Sequence, residues 1–132
     1  MTTTADTDLA FAGPVALAAM VREGEVTPRE LVELYLRRIE ALDPTLNAFR
    51  VVRAEQALAD ADRIDIGSDP LPLAGVPIAV KDDLDLAGEV ATRGTRSFGP
   101  PATEDAEPIR RLRAAGAIPI GVTNVPELMI FP

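Results

Sequence analysis

The 132 residues contain no cysteine and no histidine. Those two absences exclude a disulfide framework, a Cys-His pair, a Ser-His-Asp triad and a zinc site of the usual ligands. Lysine is almost missing as well: of the 13 basic residues only Lys81 is not an arginine. A general base must therefore be a carboxylate, Tyr35 or Lys81. Aromatic residues are sparse at 4%. No apolar run approaches the roughly 18 residues that a membrane span requires. The opening MTTTADTD has no basic region followed by an apolar stretch. The expectation is a cytoplasmic protein without a membrane partner. Positive charge is in deficit, 13 basic against 21 acidic residues for a net charge of -8. A nucleic acid is thus not expected as a direct partner, because its backbone is held by basic stripes. Neither a metal nor a cofactor is expected.

The hydrophobic fraction of 47% and charged fraction of 26% are those of an ordinary globular chain. The length suits one domain, which folding alone would bury about two-thirds of its unfolded surface. No repeat or low-complexity block interrupts it. The spacing predicts a helix over Pro14 to Glu23, with Pro near the first turn and Gly24 past the end. In TPRE, Thr27 as cap and Glu30 three residues later form a capping box. The helix that follows carries Leu31, Leu34, Tyr35, Ile39 and Leu42 at helical spacing, and Asp43-Pro44 is expected to end it. A short apolar run at Phe49 to Val52 precedes a third helix, AEQALADAD, and GSDPLP reads as a loop.

The second half is β-branched. VPIAVK and IPIGVT each fit a buried strand. Between them Asp105 is expected to cap a helix through about Ala115, with Arg110, Arg111 and Arg113 in its later turns. Strand, helix, strand implies a right-handed crossover and a parallel pair. Parallel pairs belong to larger sheets covered on both faces, so two strands and a weak third make an unfinished sheet. The last residues, ELMIFP, are apolar. Both features point to further chain or to a partner chain.

Lys81 closes the strand VPIAVK. Its simplest role is a packed stem whose ammonium reaches water or pairs with Asp82, Asp83 or Asp85. Its uniqueness in an arginine-using chain favours a chemical role, since lysine alone of the two can lose its proton. Such a base needs desolvation to outweigh the nearby carboxylates. Strand alternation turns Asp82 to the face opposite Lys81. Asp82 and Asp83 read first as turn-forming or capping acids.

Three stretches in order, LAGVPIAVKDDLDLAG with GTRSFG, then DAEPIRRLRAAGAIPIGVTNVPE, together with the paired N-terminal helices, closely resemble the start of the amidase signature family of amide hydrolases. The resemblance runs from about Ala16 to the end. It implies an α/β fold in which N-terminal helices precede the first strands of a large mixed sheet. It also implies a Ser-cisSer-Lys triad, with Lys81 matching the lysine that acts on a bridging serine. That serine activates a nucleophilic serine, and an acyl-enzyme is formed and hydrolysed. Backbone N–H groups of a Gly/Ser-rich loop would hold the oxyanion.

That loop, with both triad serines, has no counterpart in this chain. Its two serines, Ser68 and Ser97, lie outside Gly-rich catalytic contexts. A private Ser97-Lys81 dyad is weighed against an ordinary loop hydroxyl, and the latter is favoured. Val122 stands where many relatives carry a second lysine, and Asp83 where asparagine is common. The expectation is the N-terminal part of a single amidase domain, with a helical arm over about 9–66 and a strand-helix-strand part over about 73–132. The parent reaction would hydrolyse a small-molecule carboxamide, with Lys81 as general base and residues 1–132 alone inactive. The rivals are a non-catalytic module binding a complementing chain or a second copy, and the N-terminal part of an amidotransferase A subunit, which supplies ammonia-derived nitrogen to a misacylated tRNA.

Overall fold

The computed structural model describes residues 8–67, 71–96 and 99–130. Helix α1 spans Pro14–Glu23, α2 Pro28–Leu46 and α3 Ala54–Ala61, with strand β1 at Phe49–Val52 between the last two. Strand β2 (Pro77–Lys81), helix α4 (Glu107–Ala114) and strand β3 (Ile118–Thr123) follow, and a short 3-10 turn covers Glu127–Met129. Ser68 and Ser97, and the Phe131-Pro132 end of ELMIFP, lie outside the described residues.

Local chemistry sets the boundaries. Helix α1 stops at Gly24, whose φ of 76° is the left-handed conformation that glycine adopts without strain. Helix α2 starts with the expected capping box: the Thr27 hydroxyl accepts from the Glu30 N–H, and the Thr27 N–H donates to Glu30 Oε2 at 2.8 Å. Its end departs from expectation. Pro44 does not terminate α2, which runs through to Leu46 and closes at Asn47, in the left-handed conformation with its N–H on the Asp43 carbonyl at 2.7 Å. Pro44 has no N–H to donate to the carbonyl four residues back, a loss confined to the final, solvent-facing turn, and beyond it the Asp43 side chain accepts from the N–H of Ala48 at 2.7 Å.

Asp105 likewise does not cap α4, whose flanking residue Ala106 provides no side-chain bond. The Asp105 carboxylate accepts instead from the Ala87 N–H at 2.9 Å and pairs with Arg113. The local cap is outcompeted because a distant loop offers a part-buried donor and α4 itself offers the Arg113 cation.

The sheet has the order β1-β3-β2, with β2 and β3 parallel and β1 antiparallel to β3. It is a mixed sheet, as the resemblance noted from the sequence implies. Only β3 is buried throughout most of its length; β2 lies at the edge, with Ala79 and Lys81 exposed, so the fully buried strand expected from VPIAVK is not found there. A residue in β3 has no partner in β2, since Ile78 faces Pro119 while Ala79 faces Gly121. This extra residue, Ile120, breaks the two-residue alternation. Ile118 and Ile120 consequently pack with Val32, Ala57 and Ala61 of α2 and α3, whereas Val122 joins Val80, Leu86 and Ile109. The N-terminal cluster of Leu17, Val21, Leu31 and Val76 completes the core, and α2 joins two clusters because Leu31 and Val32 are adjacent in it.

Candidate active site around Lys81

Lys81 stands at the carboxyl end of β2, opposite Thr123 of β3, and Thr123 in turn faces Phe49 of β1. One row across the sheet therefore ends on Lys81. Its side chain is 52% exposed, and Nζ lies 3.1 Å from Asp83 Oδ2. Of the three aspartates considered from sequence, Asp83 is the partner. The second oxygen of Asp83, Oδ1, is buried with no hydrogen-bond partner. The described residues leave the side chain half-exposed, without the desolvation that a lysine base requires.

Asp82 behaves oppositely. Its side chain is 1% exposed and lies 3.0 Å from Arg50 Nη2. The N–H of Thr92 donates to Asp82 Oδ1 at 3.0 Å, and the Thr92 hydroxyl donates to Oδ2. Its backbone is engaged too: the Asp82 N–H donates to Thr123 O at 3.2 Å, and the Asp82 carbonyl accepts from Arg93 at 3.0 Å. The opposite facing of Lys81 and Asp82 follows the strand alternation. The reading of Asp82 as a turn or capping acid is replaced by that of a buried, doubly served carboxylate.

Two arginines from β1 and its end hold the segment that follows Lys81. Arg50 adds a bond to the Val90 carbonyl, and buried Arg53 pairs its Nε with Glu89 Oε1 at 3.0 Å. Sequence reasoning passed over both. The available signal was an arginine inside the apolar run FRVV, which requires a buried acceptor once that run becomes a strand. Farther along, Asp85, Ala91, Arg93, Pro100, Thr103 and Glu104 line a polar cleft of about 590 Å³. Among the described residues no group of three or more metal-ligating side chains is gathered. No helix among them is long and apolar enough to cross a membrane.

A family profile described as Amidase matches residues 30–132. A Mycobacterium tuberculosis protein that goes by the name amidase AmiB2 is 58% identical over 130 residues, covering 96% of this chain and 28% of that protein. The A component of a glutamyl-tRNA(Gln) amidotransferase from Synechococcus is 46% identical over 111 residues, covering 79% of this chain and 22% of that protein. Among solved structures, the peptide amidase of Stenotrophomonas maltophilia superposes with a TM-score of 0.77 at 32% identity, over 89% of this chain and 26% of that one. The chain thus spans about a quarter of the length of the relatives it matches. With the family profile covering most of its length, the chain belongs to the amidase signature family of hydrolases acting on carbon-nitrogen bonds.

Proposed function

We propose that this chain is the N-terminal part of a single amidase domain and supplies its general base, Lys81. The reaction is hydrolysis of a small-molecule carboxamide to a carboxylic acid and ammonia or an amine. A serine Oγ from a segment outside residues 1–132 attacks the carbonyl carbon, and its proton passes through a bridging serine to the Lys81 amine. The carbon-nitrogen bond then breaks with a proton delivered to the leaving nitrogen, and water cleaves the acyl-serine ester. The helical arm covers about residues 9–66 and the strand-helix-strand part about 73–132. The observation that carries the reading is the position of Lys81: it stands at a strand end with its amine outward while the adjacent Asp82 is locked inward. The setting is a reducing, cytoplasmic one, in keeping with the absence of cysteine.

The test is ammonia release from aliphatic and aryl amides by three proteins: the complete amidase carrying this chain, its Lys81→Ala variant, and residues 1–132 alone. Activity is expected only in the first. Turnover by the Lys81→Ala variant overturns the assignment of the base, and turnover by residues 1–132 overturns the requirement for outside serines.

A second reading is favoured by the likeness to the glutamyl-tRNA(Gln) amidotransferase component. In it the same Lys81 chemistry releases ammonia for transfer to an acyl group carried by a partner complex. Co-purification with partner proteins, and ammonia release from glutamine rather than from simple amides, separate the two. A complementing chain or second copy would dock on exposed apolar residues such as Leu46 and Ile130.

A further inference from the structure

Strand β1 meets β3 with a register shift: Phe49 faces Thr123 and Val51 faces Val122, leaving Arg50 as the extra residue. Such a bulge turns its side chain away from the direction that regular alternation would give. Arg50 reaches past β3 to the end of β2, where Nη2 lies 3.0 Å from Asp82 Oδ1 and also donates to the Val90 carbonyl. We infer that Arg50 and Asp82 form a brace that positions Lys81 for catalysis, an inference that rests on the proposed role of Lys81 as base.

Three observations carry it. Asp82 has both carboxylate oxygens, its N–H and its carbonyl engaged, so the backbone immediately after Lys81 is fixed on every side. Lys81 itself has a half-exposed side chain and, among the described residues, an ion pair to Asp83 alone, so its placement depends on that backbone. Arg50 Nε is buried without an acceptor, a placement that stability alone does not favour. Neither Arg50 nor Asp82 need touch substrate; both are positioning residues.

The experiment measures kcat and KM for amide hydrolysis in the complete amidase carrying Asp82→Asn, Arg50→Gln, both together, Arg50→Lys or Lys81→Ala, with the folded fraction of each taken from circular dichroism. Misplacing a reacting group by about 1 Å costs on the order of 100-fold, so Asp82→Asn and Arg50→Gln should each lower kcat per folded molecule by about that factor with KM nearly unchanged. The double variant should fall no further than the weaker single one, as expected of two residues acting through one contact. Arg50→Lys keeps the charge but lacks the forked donor geometry, and should sit between wild type and Arg50→Gln. It also keeps the test open if a neutral variant does not fold. Wild-type kcat per folded molecule in the brace variants, with Lys81→Ala inactive, overturns the brace while leaving Lys81 as base. An active Lys81→Ala variant overturns both.

Discussion

Gly121 lies against the backbone of Val51 so closely that a Cβ added to it would sit 2.5 Å from the Val51 carbonyl oxygen and 2.8 Å from Cδ1 of Phe49. The central strand can approach β1 only because this residue has no side chain. Gly121→Ala is therefore expected to destabilise the chain by about 3 kcal/mol, since backbone and an aromatic ring must both give way. Urea denaturation checks it. A loss below about 0.5 kcal/mol, the range of neutral surface changes, would show that β1 moves freely.

The capping box gives a pH-dependent prediction. Hydrogen bonds from the Thr27 backbone, then from its hydroxyl, hold the Glu30 carboxyl below the usual carboxylate range. A depressed carboxyl stabilises the fold above its unfolded pKa and loses that contribution as pH falls through the lower folded value. Glu107 behaves in the same way, lowered by Arg111 and then Arg110. The stability difference between wild type and Glu30→Gln should accordingly be present at neutral pH and shrink on acidification below about pH 4.3, the ordinary glutamate value. A difference that is constant across that window would show that the carboxylate charge plays no part.

Removal of the cap itself is a separate matter. Thr27→Ala takes away the acceptor for the Glu30 N–H, and should cost about 1 kcal/mol. Thr27→Ser should be close to neutral. Thermal melts of the two variants side by side distinguish a lost hydroxyl from a lost methyl group.

Leu31 is fully buried between α1 and the start of β2. Leu31→Ala should cost about 3 kcal/mol through lost burial and the cavity left behind. Leu46, which is 66% exposed, provides the contrast: Leu46→Ala should change the denaturation midpoint little.

Since Lys81 is the single lysine and half exposed, an amine-acylating reagent should modify the folded chain at two places only, Lys81 and the amino terminus. The adjacent bond is a different case. A protease cutting after lysine must engage the backbone of Asp82, whose N–H and carbonyl are both hydrogen-bonded. Mass spectrometry of separately treated native samples should thus find Lys81 acylated rapidly by the reagent, and the Lys81-Asp82 bond of unacylated chain intact after protease. Rapid cleavage would mean that the strand end opens readily.

What could be read beforehand divides according to the range of the forces involved. The Thr27-Glu30 capping box and the α1 stop at Gly24 rest on neighbours a few residues away, and sequence spacing expresses them fully. Asp105 departs from its local pattern because the distant Ala87 N–H draws it away, together with Arg113, whereas Pro44 stays helical because it sits in an exposed last turn where a single backbone bond is lost. Lys81 stands out through composition, but the Arg50-Asp82 pair does not, since it depends on a bulge and on a crossing of the sheet that no local pattern encodes.

The strand order has a consequence for how the molecule comes into being. Strands β1 and β2 share no ladder; each pairs only with β3, the last of the three described strands to be made. As the chain leaves the ribosome, its first two strands have no mate until residues 118–123 emerge, and the helices must meanwhile shelter their apolar sides. Pairing of these three strands is then a single event in which one arriving segment closes both seams at once. A fault in β3 would therefore break both described ladders together rather than one of them.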